Sequence, residues 1–139
     1  MAIQYDIAYS AIVIGAGIVA GVPCNCALTS GPVPLSNLAG CMAGSPPDTV
    51  AADAARGLFR LGQIDDPANI ARQKIYLFSG TRDEVVKPPA MNGVLAFYRA
   101  LGVPDAGLVF VKDVPAGHAF LSPLPGGACG ATAAPFVNQ

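Results

Sequence analysis

The sequence holds a single histidine, His118, set in Val-Pro-Ala-Gly-His-Ala-Phe. Pro115 and Gly117 put that histidine on a sharply turned loop that leaves little room for side chains. Earlier in the chain, Asp83 lies in Ser-Gly-Thr-Arg-Asp, just beyond an apolar run. A carboxylate that fixes the tautomer of an imidazole allows the ring to take a proton from a hydroxyl group, and this is the chemistry of a serine-nucleophile triad. The same two residues also read as a loop Asp and a packed His, because a strand-helix-strand unit by itself carries no specific function.

For Asp83 and His118 to meet, the elements between them must bring two loops to one edge. Lys74 to Ser79 reads as a buried strand closed by Gly80. Pro88 and Pro89 open a helix that carries Met91, Val94, Leu95, Tyr98 and Leu101 at helical spacing, and Gly102 and Pro104 end it. Leu108 to Val111 is a third short strand. A right-handed crossover makes the two strands parallel, so both following loops emerge at the same carboxyl edge of the sheet.

The remaining organisation follows from the same signals. Met1 to Ser10 reads as a short helix. Ala11 to Gly21 is apolar throughout and suits a central parallel strand. Val22 to Pro47 has loop chemistry. A helix from Asp48 to Leu61 is expected to bury Val50, Ala54, Leu58 and Leu61, with Gly62 ending it. The residues after His118 read as loop.

Composition narrows the function classes. The 139 residues fit one domain or part of one. A net charge of −1 supplies no basic stripe for nucleic acid. A hydrophobic fraction of 53% against 12% charged excludes disorder. The longest apolar run, Ala11 to Val22, is shorter than the ~20 residues of a membrane span. The chain itself shows no secretory signal.

Other candidate sites are weaker. One histidine is a poor basis for a zinc site, which needs three or four protein ligands. Cys24, Cys26, Cys41 and Cys129 are better read as disulfide partners, although Cys24 and Cys26 are too close to bridge each other. Asp65 and Asp66 read as a solvated or capping pair. Gly15, Gly17 and Ala20 match a dinucleotide-binding fingerprint, but Pro23 cuts off the helix that such a site requires and no acid stands in the ribose position. Those glycines instead permit close packing within a strand. None of Ser10, Ser30, Ser36, Ser45, Ser79 and Ser122 sits in Gly-x-Ser-x-Gly, and Ser79 lies on the strand that already supplies the acid. A triad built on this chain therefore lacks its nucleophile.

Two blocks, Leu-Phe-Ser-Gly-Thr-Arg-Asp-Glu-Val-Val ending at Val86 and Asp-Val-Pro-Ala-Gly-His-Ala-Phe ending at Phe120, resemble the acid and histidine loops of extracellular polyhydroxybutyrate depolymerases. Further pieces, from Met1 to Gly21, Pro23 to Ala27, Cys41-Met42, Gln63 to Ala71 and Cys129 to Asn138, extend the resemblance over nearly the whole chain. It implies an α/β-hydrolase-like fold, here a partial parallel sheet with flanking helices, in which residues 1–139 form the C-terminal portion of one catalytic domain. It implies hydrolysis of a polyester or short-chain ester with Asp83 as acid and His118 as base, no cofactor, and a secreted or periplasmic location. The family's Ser-x-Gly-Gly elbow would precede the helix that Met1 to Ser10 resembles, so the chain is expected to begin just after its nucleophile. The family would also offer Cys129 a further cysteine, and an aromatic residue is commoner where this chain has Cys24. Two other readings are a non-catalytic hydrolase fragment or interaction module, and a nucleotide-binding module built on Gly15 and Gly17.

Overall fold

A computed structural model describes residues 2–29, 34–44 and 48–139. The chain opens with helix α1 (Ala2–Ala8), and the Tyr9 carbonyl then accepts the N–H groups of Ile12 and Val13, turning the backbone. That turn delays strand β1 to Gly15–Val19, shorter than the apolar run Ala11 to Gly21 predicts. Next come helices α2 (Cys26–Thr29), α3 (Pro34–Ala43) and α4 (Asp48–Arg60), then a 3₁₀ turn over Pro67–Arg72. Strand β2 (Lys74–Phe78), helix α5 (Pro88–Ala100) and strand β3 (Leu108–Val111) follow, and β4 (Phe120–Leu121) and β5 (Val137–Asn138) close the chain.

β1, β2 and β3 form a parallel sheet in that order. The apolar segment at the N-terminal end therefore supplies an edge strand of the described sheet, and β2 is the central one. Register places Ala16, Ile18, Ile75, Leu77, Leu108 and Phe110 on one face, packed with α1, α4 and α5. The opposite face carries Val19, Tyr76 and Val109, which are exposed, and at its carboxyl end Phe78, which is buried, and Val111, which is half-buried. Parallel sheets are ordinarily covered on both faces, and here much of this second face is open among the described residues.

The crossover helix α5 forms as its sequence dictates. Pro88 and Pro89 occupy its first positions, where a missing N–H costs nothing. Met91, Val94, Phe97 and Tyr98 are fully buried, and Gly102 adopts the left-handed conformation after the last turn. In α4 the expected face is corrected. Ala51, Ala52 and Ala55 are buried, whereas Val50 and Leu61 are exposed. Small side chains let α4 approach α5 closely, and the larger residues rotate outward.

The segment Val22 to Pro47, expected to be loop, contains α2 and α3. A Cys26–Cys41 disulfide joins these two short helices. Cys24 and Cys129 are free thiols. Asp66 caps the 3₁₀ turn by accepting the Ala68 N–H at 2.9 Å, and Asp65 accepts the Ala11 N–H at 3.0 Å. Asp66 is thus a local cap, whereas Asp65 ties this segment to the turn after α1.

A buried polar group lies beneath α1. The Tyr98 hydroxyl donates to Asp6 Oδ2 at 2.7 Å, and the Gln73 amide donates to the Val13 carbonyl. Asp6 Oδ1 and Gln73 Oε1 have no partner among the described residues. Burial raises the Asp6 carboxyl above its ordinary range. Burial, and then the nearby Asp6 charge, push the Cys24 thiol up to about 11 and raise the Tyr98 hydroxyl as well.

Candidate active site

Three loops meet backbone against backbone at the carboxyl edge of the sheet. The first, after β2, carries Asp83, and the second, after β3, carries His118. The third is the segment around Gly130. Thr81 N donates to the Val114 carbonyl at 2.8 Å and Arg82 N to the Ala116 carbonyl at 3.1 Å, which zips the first loop to the second. Gly80 permits this approach, because a Cβ there would overlap the Ala116 carbonyl. Gly117 plays the same part toward the third loop, where a Cβ would stand 2.7 Å from the Ala131 carbonyl carbon.

This layering brings His118 Nδ1 to 2.9 Å from Asp83 Oδ2, across 35 residues of sequence. Asp83 is buried, with 2% of its side chain exposed, whereas the imidazole is 34% exposed. The other carboxylate oxygen, Oδ1, accepts the N–H groups of Val85 at 2.9 Å and Val86 at 2.8 Å. Both oxygens are therefore held, and the carboxylate has a fixed orientation toward the ring. With Nδ1 facing Asp83, Nε2 is the nitrogen left for proton transfer.

His118 lines a cleft of about 310 Å³ together with Val19, Ala20, Ala119, Phe120 and Phe136. The end of β1 supplies one wall and the β4–β5 ribbon the other. Apart from the imidazole, the lining is apolar, which suits a ligand with alkyl groups beside a polar reacting centre. Phe120 and Phe136 are both exposed at this mouth. Sequence reasoning does not single them out, since they stand in a Gly- and Pro-rich stretch without periodicity. The glycines at 80, 117 and 130 were the available signal that separate loops would stack here.

The other candidates fall elsewhere. Ser10 is buried and donates to the Asp66 carbonyl, Ser79 is buried, and Ser122 Oγ accepts the Leu124 N–H. Ser30 and Ser45, like the side chain of Ser36, lie outside the described residues. Gly15 and Gly17 sit inside β1, and the next helix does not begin until Cys26, so the strand-turn-helix of a dinucleotide site is absent at these glycines. A Cβ on Gly15 would overlap the Lys74 carbonyl of the neighbouring strand, which accounts for that glycine through packing. No group of three or more His, Cys, Asp or Glu that could hold a metal occurs among the described residues. Among these residues, no helix is long and apolar enough to cross a membrane.

No protein-family model matches the chain. Over its full length it is 40% identical to a poly(3-hydroxybutyrate) depolymerase of Delftia acidovorans and 29% identical to a polyhydroxybutyrate depolymerase of Talaromyces funiculosus. It spans 28% and 40% of the lengths of those relatives. Among solved structures it superposes, with a TM-score of 0.76 and 25% identity, on a PHB depolymerase complexed with an R3HB trimer. The PHB depolymerase of Penicillium funiculosum gives the same TM-score at 24% identity. In both cases 90% of this chain is covered and 38% of the other.

Proposed function

With this chain related in sequence and fold to a segment of the polyhydroxybutyrate depolymerases, an α/β-hydrolase-like group, we propose that it supplies the acid and base of a serine esterase acting on a polyester or its oligomers. The observation that carries the reading is the 2.9 Å contact between His118 Nδ1 and the buried Asp83 carboxylate, beside an apolar cleft. Asp83 accepts a hydrogen bond from Nδ1–H and so leaves the Nε2 lone pair for a serine hydroxyl. As the serine oxygen bonds to the ester carbonyl carbon, its proton passes to Nε2, and Asp83 stabilises the resulting imidazolium. The ring then returns that proton to the departing alkoxide; in the second half-reaction it takes a proton from water as the water oxygen bonds to the acyl carbon, and gives that proton to the serine oxygen as the acyl–serine bond breaks and the acid leaves.

In this reading residues 1–139 are the C-terminal portion of one catalytic domain, and the nucleophile comes from a part of the protein outside them. Two observations support it. Much of one sheet face is open among the described residues, and the chain spans 28% and 40% of the two relatives. Export to an oxidising compartment agrees with the Cys26–Cys41 disulfide. An ester chain of alternating carbonyl and alkyl groups suits an apolar cleft with one imidazole in its lining. The Delftia relative's name and the solved complex with an R3HB trimer point to hydroxybutyrate as the repeating unit.

The test is labelling with a serine-directed fluorophosphonate, followed by mapping of the modified residue. The folded 139-residue chain should take no label. A chimera in which it replaces the matching segment of the Delftia relative should be labelled on a serine outside the 139 residues. A label on one of the chain's own serines would overturn the assignment of the nucleophile.

A further inference from the structure

No helix or long strand holds His118 itself. Its backbone N–H donates to the Thr132 hydroxyl at 2.9 Å, and the preceding Gly117 N–H donates to the Cys129 carbonyl at 3.0 Å. Both acceptors belong to the third loop. That loop is in turn held by one buried side chain, because Asn138 Nδ2 donates to the Cys129 carbonyl at 3.2 Å and to the Ala131 carbonyl at 2.7 Å. Asn138 is 1% exposed, so water does not compete for those bonds. On the far side of the imidazole the chain is tied again, through Phe120 N to the Phe136 carbonyl and Ser122 N to the Asn138 carbonyl.

We infer that residues 129–138 form a clasp that sets the His118 imidazole against Asp83, with Thr132 and Asn138 as its positioning residues. This inference rests on the Asp83–His118 pairing proposed above. The geometry favours it over a merely structural tail. Thr132 is exposed and buries no core surface, yet its hydroxyl meets the backbone N–H of the one histidine in the chain. Asn138 spends both amide protons on the carbonyls of residues 129 and 131, the first of which also accepts the Gly117 N–H. An amide is required at this position, since a carboxylate of the same shape would set negative oxygen against two carbonyl oxygens.

Because the chain holds one histidine, every imidazole signal in its NMR spectrum belongs to His118. In the uniformly ¹⁵N-labelled 139-residue chain, the Nδ1 proton should be visible and in slow exchange with water. Asp83→Asn should accelerate that exchange. Thr132→Val should accelerate it roughly five- to ten-fold, the equilibrium effect of one lost hydrogen bond, and Thr132→Ser, which restores the hydroxyl, should return it to within about two-fold of the original rate. Asn138→Asp should accelerate it by more than roughly ten-fold. Amide spectra establish that each variant is folded. If Asn138→Asp does not fold, the two Thr132 variants decide the matter alone, because that site is on the surface. Acceleration by Asp83→Asn with no change in folded Thr132→Val would overturn the clasp and leave the acid–base pair standing. If the proton is absent, or indifferent to Asp83→Asn, the pairing fails and the clasp fails with it.

Discussion

Replacing Gly80 by Ala should separate the acid from the base without touching either. A Cβ at Gly80 would overlap the Ala116 carbonyl oxygen, and it would stand 2.8 Å from the carbonyl carbon and 3.0 Å from the Ala116 Cβ, where ordinary contact begins at 3.4 Å. The atoms in the way are mostly backbone, so the loops carrying Asp83 and His118 must part by on the order of 1 Å, the shortfall at the oxygen being the largest. That displacement breaks or stretches the Arg82–Ala116 bond of 3.1 Å, and it carries the 2.9 Å Nδ1–Oδ2 contact out of hydrogen-bonding range. Overpacking of this kind costs about 1–3 kcal/mol of stability. A misplacement of about 1 Å at a catalytic pair costs about 100-fold in rate. The assay pairs urea denaturation of the 139-residue chain with hydrolysis of hydroxybutyrate oligomers by the chimera carrying the same substitution. Normal stability and normal turnover together would refute the claim that backbone contact between these loops sets the pair.

Three further outcomes follow from groups away from the cleft. Asp6 is raised by burial, so its protonated form is favoured on folding. Stability should fall as pH rises from the ordinary carboxylate range through the native value, and Asp6→Asn should flatten that fall. Urea midpoints between pH 4 and 8 test this below the range where Cys24 and Tyr98 contribute, and an unchanged slope would contradict it. Reducing the Cys26–Cys41 disulfide, which closes a separation of 15 residues, should lower stability by about 3 kcal/mol on the chain-entropy estimate, measured as the urea midpoint with and without reductant. A colorimetric thiol reagent at neutral pH should modify Cys129 rapidly and Cys24 only on unfolding, because Cys24 is buried and raised to about 11; two fast equivalents in the native chain would contradict this.

The parts of the fold that could be read from the sequence are those whose signals were local and strong. Lys74 to Phe78 and Leu108 to Val111 are short apolar runs, and the helix between them is bracketed by Pro88 and Gly102. Handedness of the crossover then brings Asp83 and His118 to the same edge, which is why that proximity could be foreseen. The helices at Cys26–Thr29 and Pro34–Ala43 could not, because their Pro, Ser and Asn residues are also turn formers, and a disulfide joins them. The α4 face differs from the one its larger side chains indicate, because Ala51, Ala52 and Ala55 are buried while Val50 and Leu61 are exposed. The clasp at residues 129–138 is held by single polar bonds from Thr132 and Asn138, which leave no periodic trace in a sequence.

The central claim is that Asp83 and His118 act as acid and base in ester hydrolysis. Its most direct test is the rate at which the chimera with the Delftia relative hydrolyses hydroxybutyrate oligomers, measured for the parent and for Asp83→Ala and His118→Ala, each shown to be folded. The account predicts losses of about 10³- to 10⁴-fold in kcat for both variants. Near-parental turnover in either variant would contradict it.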